Sequence, residues 1–212
     1  GGGPPPLQNI ALIPGSRMSE VKRLLPVLKQ VADEIPLRFS EGVDANEVRG
    51  RGSDNYQFYI PVVETTAKYA RKQTKDWEIR PVIVPAEKRY DLYAKTDIAI
   101  AASGTVSAEL AIMHIPAIVV YKMNPVTTFL ARIMLKTKWA SLVNILLRKT
   151  VYPELLGGQA NAENIMREFK KLETAGARAK MISELAAADK MWRRDGKSPA
   201  KLIADDIVNR ES

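Results

Sequence analysis

The chain has 212 residues, of which 46% are apolar, 26% charged and 7% aromatic, proportions that exclude a disordered or fibrous protein. It has no cysteine and a single histidine, His114, which rules out disulfides, Cys-type zinc sites and thiol nucleophiles, and argues against a Ser-His-Asp triad; no metal is expected. A net charge of +8 suits nucleic acid, phosphate ligands or an anionic membrane.

The opening Gly1-Gly2-Gly3-Pro4-Pro5-Pro6 tract lacks the regions of a signal peptide, and residues 1–9 read as a disordered tail or a cloning remnant. Asn9-Ile10-Ala11-Leu12-Ile13 is a short apolar run ended by Pro14-Gly15, the pattern of a buried strand and a sharp turn. Val21, Leu24, Leu25, Leu28, Val31, Ala32 and Ile35 then recur at helical spacing, with Pro26 expected to kink the helix or confine its regular part. Residues 38–54 are polar and without a period, as in a long mobile loop. Strands are predicted at 56–63, 81–84, 97–102 and 117–121, and helices at 64–75, 88–95 and 105–113. Apolar strands alternating with amphipathic helices predict an α/β fold with a doubly wound parallel sheet over residues 10–160. A helical extension follows over 161–212, with segments at 162–172, 177–192 and 198–208. No apolar run approaches the ~18 residues of a spanning helix, so a soluble or surface-bound protein is expected.

In such sheets ligands bind at the carboxyl ends of the strands, which directs attention to two strand-to-helix turns. In Pro14-Gly15-Ser16-Arg17, glycine admits close backbone approach, the helix start offers N–H groups, serine adds a hydroxyl and arginine a two-pronged cation, together suited to a diphosphate. The alternative is a turn glycine, an N-cap serine and a solvated arginine. In Ala101-Ala102-Ser103-Gly104-Thr105, small residues leave room for phosphate at a helix N-terminus, and Glu109 one turn on can accept hydrogen bonds from ribose hydroxyls. The alternative there is a capped helix with an exposed glutamate. Neither a G-x-x-x-x-G-K-[ST] loop nor a G-x-G-x-x-G fingerprint occurs, which argues against P-loop and standard dinucleotide enzymes.

Five motifs in order resemble those of the lipid-A-disaccharide synthase family: Leu12-Ile13-Pro14-Gly15-Ser16-Arg17 with Glu20, Ala102-Ser103-Gly104-Thr105 with Glu109, Val120-Tyr121-Lys122-Met123-Asn124-Pro125, Ser141-Leu142-Val143-Asn144-Ile145-Leu146, and Val151-Tyr152-Pro153-Glu154-Leu155-Leu156. The resemblance implies a Rossmann-like GT-B C-terminal domain of an inverting glycosyltransferase. That enzyme transfers 2,3-diacylglucosamine from UDP-2,3-diacylglucosamine to 2,3-diacylglucosamine 1-phosphate, releasing UDP, as a cytoplasmic protein peripheral to the inner membrane. It implies UDP contacts from Gly15, Ser16, Arg17, Ser103, Gly104, Thr105, Glu109, Asn124, Asn144, Glu154 and Gln159, with Arg17 stabilising the leaving diphosphate and no cofactor. Asn144 bridging a loop and Glu154 capping one stay open as alternatives. Val143 stands where the family usually has proline, and residues 38–54 have no recognised counterpart. The family's N-terminal domain, which binds the acceptor glycolipid and supplies the base, is absent, so the chain resembles a donor-binding half and is expected to be inactive alone. A homodimer remains open. Other UDP-sugar enzymes of this architecture, such as a UDP-N-acetylglucosamine 2-epimerase or a peptidoglycan glycosyltransferase, are rival readings that the motifs after Tyr121 disfavour.

Residues 110–153 carry no acidic side chain but six basic ones, Lys122, Arg132, Lys136, Lys138, Arg148 and Lys149. Within them Phe129 and Ile133 share an apolar helical face, with Arg132 and Lys136 elsewhere and Lys138-Trp139 following, a pattern that fits either an anionic membrane surface or a core-packed helix with a basic rim. Arg49-Gly50-Arg51-Gly52 lends slight support to a nucleic-acid-binding module, but nucleic acid is not the expected partner.

Overall fold

The computed structural model describes residues 9–38, 56–122 and 139–194. At its centre lies β1 (Asn9–Ile13), whose Ile10, Ala11 and Leu12 are fully buried. A strand apolar throughout needs cover on both faces, which parallel neighbours joined by helices provide. The chain leaves β1 through α1 (Met18–Arg38), returns as β2 (Gln57–Val62) and passes through α2 (Glu64–Gln73) to the edge strand β3 (Val82–Pro85). A turn of 3-10 helix (Ala86–Lys88) and a short α3 (Arg89–Tyr93) then cross to β4 (Ile98–Ala102) on the other side of β1. From there α4 (Thr105–Ile112), β5 (Ala117–Tyr121), α5 (Leu142–Leu147) and β6 (Glu154–Leu156) complete the second half. Among the described residues the six strands are all parallel, in the order β3-β2-β1-β4-β5-β6. The predicted doubly wound sheet is therefore present, with Ile10 beside Ile98 and Leu12 beside Ile100 at its middle.

Helix α1 buries Val21, Leu24, Leu25, Leu28, Val31, Ala32 and Ile35. It also continues without interruption through Pro26, contrary to the expectation that proline would confine it. Pro26 lies on the exposed face, where water can serve the carbonyl that its missing N–H leaves unpaired. After a second 3-10 turn (Gly157–Gln159), α6 (Ala162–Glu173) is capped by the Asn161 side chain, which accepts from Asn164 N at 2.9 Å. Its buried Ile165, Met166, Phe169 and Leu172 pack on α1 and β5, and α7 (Ala175–Arg194) packs on α4 and α6. These helices cover the α/β core instead of projecting from it.

The sequence reading missed α5 and β6. At six and three residues they are too short for periodicity to mark. His114 ends α4 in the left-handed conformation, φ +55°, its N–H bonded to Ala111 O at 3.0 Å, in keeping with a capping role. The predicted 198–208 helix, residues 123–138 of the acid-free segment and residues 39–54 of the expected loop lie outside the described residues.

Candidate nucleotide site

Between β1 and β4 the connections diverge to opposite sides of the sheet, and the crevice at their carboxyl ends is the place where such folds bind ligands. A cavity of about 470 Å³ opens there. It brings together Gly15, Ser16 and Arg17 from the first turn and Ser103, Gly104, Thr105 and Glu109 from the second, seven of the eleven positions implied for UDP. Pro61, Val63 and Ala86, at the ends of β2 and β3, add an apolar wall, and Glu20, Arg89 and Tyr93 also reach the cavity.

The two glycines are required by the backbone. Gly15 has φ +101°, and a Cβ there would overlap the Glu20 carboxylate folded over the turn. Gly104, the N-cap of α4, has φ +151° and ψ −159°, a region essentially reserved for glycine. A Cβ on it would meet nothing within 4 Å, so the space above this helix start is open. The cap makes no side-chain hydrogen bond to the helix's first N–H groups, and a helix N-terminus of this kind is an anion seat. The small side chain of Ala102, at the end of β4, lines the cavity without filling it.

Arg17 is 82% exposed. Its Nη1 lies 3.4 Å from Glu20 Oε1, while its backbone N–H donates to Glu20 Oε2 at 3.3 Å, one half of a capping box. So weak and solvated an ion pair leaves the guanidinium available to a stronger anion. Glu109 is held differently: Arg89 Nε donates to its Oε2 at 3.0 Å and Arg89 Nη2 to its Oε1 at 3.3 Å. That hydrogen bond is the main reason the Arg89 pKa is raised, with burial opposing it. Tyr93 is buried beside them; desolvation first, and the Glu109 charge second, push its phenol well above its ordinary pKa. Arg89 was not singled out from the sequence. Twenty positions separate it from Glu109, and no short motif announces such a pair.

Three of the remaining implied positions, Asn144, Glu154 and Gln159, sit elsewhere. Asn144 is fully buried and its amide is saturated: Oδ1 accepts from Val151 N at 2.8 Å and Tyr152 N at 3.0 Å, and Nδ2 donates to Tyr152 O and Glu154 Oε1, both at 2.7 Å. Glu154 also accepts from Ala140 N at 2.7 Å and Ser141 N at 2.9 Å. The two residues therefore bind each other and the turns around α5, as in the loop-bridging alternative, and neither lines the cavity. Gln159 is exposed on its 3-10 turn, also away from the cavity. Asn124, Phe129, Arg132, Ile133, Lys136 and Lys138 lie outside the described residues, and Trp139 Nε1 donates to Thr150 Oγ1 at 2.9 Å.

A family model for lipid-A-disaccharide synthetase matches residues 4–198. The chain is 32% identical over 203 residues to lipid-A-disaccharide synthase of Paramagnetospirillum magneticum, covering 94% of this chain and 48% of that protein. It is 34% identical over 168 residues to the synthase of Nitrosococcus oceani, covering 79% and 40%. The chain thus spans about half the length of the curated relatives it matches. Among solved structures, MurG of Acinetobacter baumannii superposes with a TM-score of 0.51 at 15% identity, over 86% of this chain and 45% of that one, a likeness of fold to GT-B glycosyltransferases. By the family match and the identity to these relatives, the chain belongs to the lipid-A-disaccharide synthase family.

Proposed function

We propose that this chain is the donor-binding half of a lipid-A-disaccharide synthase, holding UDP-2,3-diacylglucosamine while the other half of a GT-B enzyme presents 2,3-diacylglucosamine 1-phosphate and the catalytic base. The observation that carries the reading is the convergence of two glycine-dependent turns, at Gly15 and Gly104, on one cavity at the β1/β4 switch point. In this reading the Gly15-Ser16-Arg17 turn and the α4 N-terminus, with Ser103 and Thr105, receive the diphosphate. Glu109 receives the ribose, and the Pro61, Val63 and Ala86 wall takes the flat base. As the glycosidic bond to the donor breaks, negative charge grows on the departing diphosphate. Arginine and oriented backbone N–H groups stabilise that charge without having to reorganise. Asn144 and Glu154 serve the fold by bridging the turns around α5. With one wall of the cleft on a different segment, the chain alone does not turn over.

Calorimetric titration tests this. UDP binds the chain, and Arg17→Ala weakens binding by about 1.5–3 kcal/mol through loss of a charge-assisted hydrogen bond. Arg17→Lys recovers part, because an ammonium cannot fork across two oxygens. Binding of a short RNA in preference to UDP would overturn the reading.

The basic stretch at residues 126–149 is proposed to contact an anionic membrane, in keeping with an acylated substrate. Vesicles containing anionic lipid then retain the chain at low salt and release it as salt rises; equal retention on neutral vesicles would refute this.

A further inference from the structure

Arg89 opens α3 on the β3 side of the sheet, yet its side chain reaches the carboxylate of Glu109 on α4, across the cavity mouth. Each guanidinium nitrogen is engaged. Nε and Nη2 take the two oxygens of Glu109, Nη1 donates to Ala86 O at 3.1 Å, and Nη2 also donates to Tyr90 Oη at 2.9 Å. The guanidinium carbon lies 4.3 Å from the centre of the Tyr90 ring, a cation–π stack. An arginine bound on so many sides is poorly placed to leave for a phosphate, unlike the solvated Arg17.

Its effect falls on Glu109. A carboxylate offers about four lone-pair directions, two on each oxygen. The two-pronged contact with Arg89 uses the direction on each oxygen that faces the guanidinium, fixing the plane of the carboxylate and leaving one direction on each oxygen that points away from the other. Those two cannot close together on one diol, but either oxygen, held in place, is a fixed acceptor for a single hydroxyl donor. A freely rotating glutamate, or one tethered by a single lysine contact, presents no such fixed acceptor.

We propose that Arg89 is a positioning residue that locks a Glu109 oxygen into an acceptor for the 2′-hydroxyl of a ribose, so that the cavity selects ribonucleoside diphosphates over their 2′-deoxy counterparts. The inference rests on the reading of the cavity as a nucleotide site and deepens it.

The test is calorimetry of the whole chain with UDP and 2′-deoxy-UDP, for the parent, Arg89→Met, Arg89→Lys and Glu109→Gln. The parent prefers UDP by roughly tenfold or more, the effect of a hydrogen bond to a charged acceptor. Arg89→Met brings the two affinities to within about threefold of each other by weakening UDP while sparing 2′-deoxy-UDP, and Arg89→Lys falls between the two. Glu109→Gln also loses preference. A merely structural Arg89 would instead weaken both ligands alike and keep their ratio, and that result overturns the proposal. Melting curves identify any variant that does not fold; should Arg89→Met fail, the ratio measured with Arg89→Lys decides, and an unchanged ratio overturns the proposal. If the parent binds no UDP, the nucleotide reading falls and this inference with it. If the parent binds UDP and the ratio survives the Arg89 substitutions, only the inference falls.

Discussion

Asn144 and Arg17 came from the same kind of sequence signal, a polar residue inside a recognisable motif, yet their environments are opposite. Arg17 is held by one long contact to Glu20 and is mostly in water, whereas Asn144 has every polar atom engaged in the interior. What each residue can do follows from its partners, and those of Asn144 lie seven to ten positions away around a turn. No single-residue feature encodes that turn, which is why residue type was legible and role was not. Replacing Asn144 by alanine leaves the buried N–H groups of Val151 and Tyr152 without their acceptor, at about 1–3 kcal/mol for each group. Urea unfolding of Asn144→Ala should therefore show a loss of at least about 2 kcal/mol. Under conditions where the variant remains folded, its affinity for UDP should stay close to the parent's. A stable variant with strongly reduced affinity would return Asn144 to the list of direct contacts.

Among the elements, the longer strands and helices were legible because burial constrains composition and spacing: β4 is apolar and buried throughout, β1 and β5 nearly so, and α1 repeats its buried residues at helical spacing from Val21 to Ile35, about four turns. The extent of α1 was not, since whether a proline interrupts a helix depends on which face it occupies and what packs beside it. β6 escaped notice because three residues carry no period, and its place beside β5 is a matter of tertiary pairing. At the start of α4 the sequence did carry the decisive signal, a glycine after Ser103, although the reason for it is conformational and not steric. A Cβ at position 104 has open space, so Gly104→Ala creates no clash. The substitution nevertheless disfavours φ +151°, at about 1–3 kcal/mol, and pulls the first turn of α4 toward a backbone that aims its N–H groups elsewhere. Gly104→Ala should lower both the unfolding free energy and the affinity for UDP, whereas Thr105→Ser, which keeps the turn, should change neither by much. Parallel melts and titrations would decide; a Gly104→Ala variant that binds UDP as the parent does would remove the α4 N-terminus from the site.

At the scale of the whole molecule, α6 packs on α1 and β5 and α7 on α4 and α6, closing a continuous core in which large tyrosines are trapped as neutral phenols. Tyr152 is fully buried at the approach to β6, its hydroxyl donating to Ile115 O at 2.8 Å, and desolvation raises its pKa well above the ordinary value. Tyr93, only 2% exposed, is raised for the same reason and further by Glu109. Both groups bind their proton more tightly folded than unfolded. Their contribution is thus fully present below about pH 10, the unfolded value, and is lost as pH rises beyond it, because the unfolded chain then releases protons that the fold retains. Each such tyrosine lowers stability by about 1.4 kcal/mol per pH unit in that range. Urea unfolding between pH 8 and 11, in buffers of constant ionic strength, should therefore show a steep alkaline decline. Tyr152→Phe should begin about 1 kcal/mol less stable at pH 8, having lost its bond to Ile115, and then decline less steeply than the parent. The two curves should converge as pH rises. Curves that stay parallel to pH 11 would show that the alkaline loss originates elsewhere than in this buried phenol.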